Sequence, residues 1–316
     1  MSKNNSAKFA FLYLLSLVAL GFVAVDVGQV IFQFVNKYIV DTIGNNTGMF
    51  NQEMLKFAIA AIVIATPVYY LSTRFIYRSL YKGELDKESG VRKWLTYLII
   101  FIAFLVMIGS LIGVLVMFLN GELSSRFILK ALTTLVIAGI VFSFYFYDIR
   151  REKVEGHKDK LIRFYFYGSL CLVVAVFIAS LTIVESPKLA RSRQIDQRVT
   201  NNLSEIHYNL NNYYQTYKKL PADFQALRAE YKYLNDSLFE NPSSQEVFKY
   251  QVKGDRDYEL CATFLTDTTK IDPNKEAYYY YDARWVHASG YQCLSQKVEA
   301  LAKDGTPIGN VPVPVK

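Results

Sequence analysis

The sequence predicts an all-α polytopic membrane bundle of five helices joined to a C-terminal α+β domain, a long helix packed on a small antiparallel sheet. Three features predict it: five apolar runs of spanning length before residue 185, a later switch to a helical stripe followed by strand-like alternation, and an uneven spread of charge. The 316 residues are 52% hydrophobic and 15% aromatic, too apolar for a disordered chain. With 16 Gly, 8 Pro and 3 Cys, the chain is neither collagen-like nor a disulfide-dense mini-domain.

Crossing a hydrocarbon layer of ~30 Å takes roughly 20 mostly apolar residues. The runs that qualify are Phe9 to Val35, Phe57 to about Ile76, Trp94 to Leu119, Phe127 to Tyr147 and Phe164 to Val184. Each is expected to be helical, because only an intrasegment hydrogen-bond ladder satisfies the backbone in lipid. Arg74, near the end of the second run, must snorkel to the headgroups. Lys3 and Lys8 ahead of the first run resemble a signal peptide, but the run is far longer than the usual ~7–15 apolar residues and no small-x-small site closes it. It reads as a retained helix.

The connections carry the orientation. Arg74, Arg78, Lys82, Lys87, Arg92 and Lys93 lie between the second and third runs, and Arg150, Arg151, Lys153, Lys158, Lys160 and Arg163 between the fourth and fifth. The alternate connections hold Lys37 and Lys56, or Arg126 and Lys130. Cationic short loops stay cytoplasmic, which predicts a multi-pass protein of the cytoplasmic (inner) membrane with its N-terminus inside and Glu185 to Lys316 outside. Before Glu185 there are 18 Lys and Arg against 11 Asp and Glu, and from Glu185 to Lys316 there are 17 of each. The net charge of +7 is therefore a topology signal, and nucleic acid is not an expected partner. The expected divisions are a four-helix part over residues 1–150, a basic loop and fifth helix over 151–184, an extracytoplasmic domain over 185–296 and a flexible tail over 297–316.

Arg92-Lys93-Trp94-Leu95-Thr96-Tyr97-Leu98, then Phe118-Leu119-Asn120-Gly121-Glu122-Leu123 with Arg126-Phe127 and Lys130, and Ala138-Gly139 ahead of Tyr147-Asp148, resemble a bacterial four-helix membrane domain family catalogued as a domain of unknown function. Asn36 with Asp41, and Pro67, fit the same pattern. The resemblance covers about residues 9–150 and implies a fold without an activity. Ser110 stands where the family implies an acidic residue.

Within the first run, Asp26, Gln29, Gln33 and Asn36 recur three or four residues apart and share one narrow helical arc. A carboxylate within lipid is a functional candidate by default. Glu122, Arg126 and Lys130, at i, i+4 and i+8, are expected as a row at the outer end of the fourth helix, with Arg126 or Lys130 pairing with Asp26. The competing reading is that these groups only bond helix to helix. Gly109, Gly113 and Gly139 are expected to let helices approach closely. Pro67 alone interrupts the four spans and no repeat is evident, unlike the duplicated broken helices of transporters.

Past Pro187, which is expected to break the chain, Ile195, Val199, Leu203, Ile206, Leu210, Tyr213 and Tyr217 step by three or four, one amphipathic helix ending near Leu220-Pro221. Alternation over 247–252, 257–264 and 278–286 predicts antiparallel strands, with Lys253-Gly254-Asp255 as a hairpin turn. Tyr213-Tyr214-Gln215-Thr216-Tyr217-Lys218-Lys219-Leu220-Pro221, followed by Asn241-Pro242, Phe248-Lys249-Tyr250 and Tyr258-Glu259-Leu260, is similar to the globular part of type II secretion pseudopilins and type IV pilin-like proteins, over about residues 190–264. The resemblance implies a pilin-like fold. It does not extend to a processed, polymerising pilin: Arg163 precedes Phe164, where such subunits carry a Gly, and no Glu follows. Asp267, Asp272 and Asp282 are too scattered for the acidic calcium loop of that family.

Cys171, inside the fifth helix, reads as a small buried hydrophobe. Cys261 and Cys293 both fall in the outer domain and are expected to form a disulfide between a strand and the terminal segment. The run Tyr278-Tyr279-Tyr280-Tyr281, with Trp285, reads first as a strand packed on both faces and second as a surface for a partner. His157, His207 and His287 lack metal-site spacing, and no phosphate loop, nucleophile elbow, dinucleotide turn or zinc-protease helix occurs. No cofactor, metal or catalytic residue is expected. The leading expectation is a non-enzymatic envelope protein in the bilayer that presents an interaction module to envelope protein partners. Its rival is a small-solute or proton-linked transporter built around Asp26.

Overall fold

The computed structural model describes residues 3–39, 48–85, 88–151, 159–270, 282–298, 300–301 and 307–308. The chain divides between Val184 and Glu185 into two units. Asp41, Lys87, Lys153, His157, Lys158, Asp272 and Tyr278 to Tyr281 lie outside the described residues.

The first unit holds α1 (Lys3–Tyr38), α2 (Gln52–Tyr81), α3 (Gly90–Leu119), α4 (Ser125–Arg150) and α5 (Lys160–Ser180). All five are long and apolar enough to cross a membrane, and they overlie the five expected runs. The starts of α2, α4 and α5 are set by short polar side chains that take up orphan N–H groups. Asn51 accepts from Glu53 and Met54 ahead of α2, Ser124 from Phe127 ahead of α4, and Asp159 from Leu161 ahead of α5. Val23, Val27 and Val30 of α1 pack in one cluster with Leu55, Ala58 and Ile62 of α2, the alternation of three and four that one helical face requires.

Two details differ from the sequence reading of α5. The helix ends at Ser180 rather than Val184, because the N–H groups of Leu181, Thr182 and Ile183 turn back onto the carbonyls of residues 178–180, and Gln52 Nε2 donates to the Ile183 carbonyl at 3.1 Å. That turn buries Ile183. Cys171 is exposed on the outside of α5, so it is not a core residue. Among the expected close-approach glycines only Gly113 meets a neighbour, with Phe127 Cζ 3.5 Å from where a Cβ would stand. Nothing lies within 4 Å of such an atom on Gly109 or Gly139, whereas Gly28 meets Ile137 at 3.5 Å.

The second unit begins with α6 (Pro187–Tyr217). Pro187 starts this helix instead of breaking the chain, since the first turn has no use for its missing N–H. Val199, Leu203, Ile206 and Leu210 are fully buried, as the stripe requires, while Tyr217 at the end is exposed. Lys218 caps the helix in the left-handed region, φ 53°. After the short α7 (Phe224–Glu230) come β1 (Lys249–Val252), β2 (Asp257–Phe264) and β3 (Gly290–Lys297), an antiparallel sheet in the order β1-β2-β3. The turn at 253–256 joins β1 to β2 as expected, with Lys253 N–H donating to the Asp257 carbonyl at 2.8 Å. Tyr258, Leu260, Ala262 and Phe264 of β2 share one core with α6.

Of the third strand expected over 278–286, only residues 282–286 fall among the described residues, and they form no strand. Ala283–Trp285 forms a 3-10 turn capped by Asp282, and β3 lies further on, where Tyr-Gln-Cys-Leu-Ser-Gln alternates too weakly in hydrophobicity to stand out. Lys297 closes β3; of the tail expected over 297–316, β4 (Ala300–Leu301) pairs with β5 (Pro307–Ile308), and residues 299, 302–306 and 309–316 lie outside the described residues.

Candidate functional site

The polar arc of α1 is buried at Asp26, Gln33 and Asn36 and half-buried at Gln29. Its C-terminal half is used on backbone. Gln33 Oε1 accepts the Asn51 N–H at 2.8 Å, and Asn36 Nδ2 donates to the Met49 carbonyl at 3.0 Å. Arg126 joins them: Nε and Nη2 donate to the Ile39 carbonyl at 3.1 and 2.6 Å, and Nη1 donates to that of Gly48 at 3.0 Å. A guanidinium here neutralises the negative end of α1 and satisfies carbonyls that the helix cannot.

These contacts replace the expected pairing with Asp26. Side chains lean toward the N-terminus of their own helix, and the start of α4 lies beside the end of α1, so Arg126 and Lys130 reach away from Asp26. Lys130 Nζ stands 5.8 Å from the Phe32 ring centroid and 3.6 Å from the position of a Cβ on Gly48. Glu122 is not in a row with them: it is exposed in the turn before Ser124 starts α4. Asp26 Oδ2 is buried with no hydrogen-bond partner among the described residues.

The opposite end of the bundle holds a site whose residues entered the sequence analysis only as loop charge and as part of the family resemblance. Arg92, in the first turn of α3, is 1% exposed. Its Nη2 donates to Asp148 Oδ2 at 2.7 Å and to the Asp148 carbonyl at 3.1 Å. Arg151 Nη2 donates to the other oxygen, Oδ1, at 2.6 Å. Arg151 also lies 3.8 Å from Asp159, which accepts from the Tyr147 hydroxyl at 2.9 Å. The Tyr13 hydroxyl lies beside Arg92, and the Tyr77 ring lies 5.6 Å from the Arg151 guanidinium. Two guanidiniums and two carboxylates thus balance in a buried cluster that draws on α1 to α4 and the start of α5. Charges can stay buried this way because each has an opposite partner in hydrogen-bond contact. One signal could have found the pair: α3 and α4 form a hairpin turning at 120–124, and Arg92 lies about as far before that turn as Asp148 lies after it.

In the second unit Cys261 and Cys293 form a disulfide. They are direct partners in the β2–β3 register, so the bridge joins two strands and not a strand to a terminal segment. Trp285 is no surface residue: it is 3% exposed, and its Nε1 donates to Ser204 Oγ at 2.6 Å. His207 bonds the Tyr258 hydroxyl through Nδ1 and Asn211 through Nε2. Burial, aided by the Arg284 guanidinium, lowers its imidazole from the usual 6.5 to about 4. Asp196 is buried and accepts from Leu265 N–H at 2.8 Å, Thr266 N–H at 2.7 Å and Thr266 Oγ1 at 2.6 Å, tying α6 to the end of β2. His287 stacks on Phe264 at 3.7 Å, and its Nε2 stands 4.0 Å from Asp196. Among the described residues no three His, Cys, Asp or Glu side chains group as metal ligands.

Ser110, the departure from the family pattern, donates to the Ala131 carbonyl at 3.2 Å and so links α3 to α4. No curated protein and no solved structure matches the chain. A Domain of unknown function (DUF5671) covers residues 10–143, from the early turns of α1 almost to the end of α4, so the Arg92 end of the network lies within that domain and Asp148 just beyond it.

Proposed function

We propose that this protein is a non-enzymatic component of a bacterial cell envelope, in which the five-helix part is a rigid base in the inner membrane and the second unit is an interaction module on the outer side. The observation that carries the reading is the Cys261–Cys293 disulfide, a bond that persists in oxidising compartments, in the unit that the cationic connections before α3 and before α5 assign to the exterior. A pilin-like module, with envelope proteins as partners in a pilus, secretion or surface assembly, is supported by the order of a long helix followed by an antiparallel meander. Protease added to intact spheroplasts tests the sidedness. The reading requires cleavage after Glu185 without lysis, and protection of that region overturns it. Envelope partners that co-purify with the full chain and are lost when residues 190–316 are removed test the module.

A second reading, proton or small-solute movement through the bundle, is favoured by one feature: Asp26 Oδ2 is buried in α1 without a hydrogen-bond partner among the described residues, and an ionisable group within a membrane span is a functional candidate by default. Flux into liposomes that disappears with Asp26→Ala supports this reading, and flux at the level of empty liposomes excludes it.

A further inference from the structure

A hollow of about 400 Å³ opens on the second unit between α6 and the segment that leads into β1. Arg198, Asn201 and Asn202, at i, i+3 and i+4, put one polar helical face on it, opposite the buried Val199 and Leu203. The other wall is a turn held from within. Asn241 is buried, its Oδ1 accepts the Ser243 N–H at 2.9 Å, its Nδ2 donates to the Thr263 carbonyl at 2.9 Å, and its carbonyl accepts the Gln245 N–H at 2.8 Å. This turn holds Gln245 at φ 58°, a conformation that costs a residue with a side chain roughly 1 kcal/mol or more and that persists where the surroundings over-determine it.

The groups facing the hollow have capacity to spare. Among the described residues the Arg198 guanidinium, the Glu240 carboxylate and the Gln245 amide make no hydrogen bond or ion pair. Asn202 spends only Nδ2, on the Ser237 and Glu240 carbonyls at 3.2 and 3.4 Å, which leaves Oδ1 as an acceptor. The hollow is therefore lined by both donors and acceptors, with one positive and one negative group among them. An anion gains nothing there. A ligand whose groups each donate and accept gains at every contact, and the Pro242 ring with the aliphatic stems of Arg198 and Gln245 offers it C–H surface.

We propose that this hollow is a binding site for a neutral saccharide, its hydroxyls bonded by Arg198, Asn202, Glu240 and Gln245. The turn is pre-organised, so binding does not have to order it. Free oligosaccharide and the glycan of a cell-surface polymer present the same chemistry.

The test uses the full chain in nanodiscs, since sugar-headed detergents would compete. Its probes are neutral trisaccharides of glucose, mannose, galactose and N-acetylglucosamine, read by thermophoresis, and insoluble peptidoglycan, read by co-sedimentation. Binding of at least one probe is expected, weakened about ten-fold by Arg198→Ala. Gln245→Gly is expected to weaken it as well while leaving the melting temperature equal or higher, because glycine accepts the positive φ. Retention on the polymer alone that peptide-free glycan strands compete away assigns the ligand to the wall glycan, retention that they do not relieve overturns the proposal, and binding of a free trisaccharide assigns the ligand to soluble sugar as well. The proposal is overturned if no probe binds, if both variants bind as the parent does, or if inorganic phosphate or a neutral tripeptide binds where the sugars do not.

Discussion

Arg92 Nη2 and Asp148 Oδ2 stand 2.7 Å apart with both side chains almost wholly buried, joining the start of α3 to the end of α4. The carboxylate is shared, because Arg151 takes its other oxygen. Removal of one partner from a buried pair leaves an uncompensated charge and costs roughly 3–5 kcal/mol, whereas replacement of the whole group by apolar side chains is often neutral. Asp148→Ala, which takes from two guanidiniums the carboxylate they share, is therefore expected to lower the melting temperature in detergent more than Arg92→Leu combined with Asp148→Leu and Arg151→Leu. A triple variant less stable than the single one would contradict this.

Asp26→Asn removes no ion pair and no hydrogen bond to Oδ2, and the amide is isosteric with the acid. Stability in detergent should be unchanged within ~0.5 kcal/mol or should rise. A clear loss on thermal denaturation would mean that the carboxylate holds a partner.

Arg126→Ala withdraws several charge-assisted hydrogen bonds from carbonyls at the end of α1 and the start of the α2 segment. A loss of about 2–3 kcal/mol is expected. Hydrogen exchange should show faster opening near Ile39 and Gly48, with the Arg92 end of the bundle unaffected.

The disulfide closes a loop with a sequence separation of 32, and loss of a bridge of that span costs about 3.7 kcal/mol in the chain-entropy account. Cys261→Ser with Cys293→Ser should lower the melting temperature of the second unit, and the parent chain should migrate faster on a non-reducing gel than after reduction. Two free thiols in protein taken straight from membranes would refute the bridge.

His207 predicts how acid acts. Its folded-state value of about 4 lies below the ordinary 6.5, so the unfolded chain binds the extra proton more readily between those limits. The stability due to the buried neutral imidazole is complete above about pH 6.5, falls as the pH drops toward 4 by an amount on the order of 3 kcal/mol, and then levels off. Melting curves across that window should show the fall, and His207→Gln should flatten it.

Apolar length and period were legible without coordinates. The five spans, the stripe Val199, Leu203, Ile206, Leu210 and the first two strands follow from local rules: a backbone in lipid must satisfy itself, a helix repeats every 3.6 residues, and a strand every two; the Cys261–Cys293 pair follows from both cysteines falling in one oxidising domain. β3 and the end of α5 were not legible, because β3 is held by its register against β2 and the α5 terminus by Gln52, 131 residues away in the chain. The polar groups divide in the same way. Spacing alone put Asp26, Gln33 and Asn36 on one face of a helix, but the direction in which a side chain leans along a neighbouring helix decided that Arg126 serves carbonyls and not Asp26. Arg92 and Asp148 look like ordinary loop charges until the α3–α4 hairpin closes. A charge becomes buried or exposed only through what packs around it, and that is a property of the folded assembly of helices, not of any residue's neighbours in sequence.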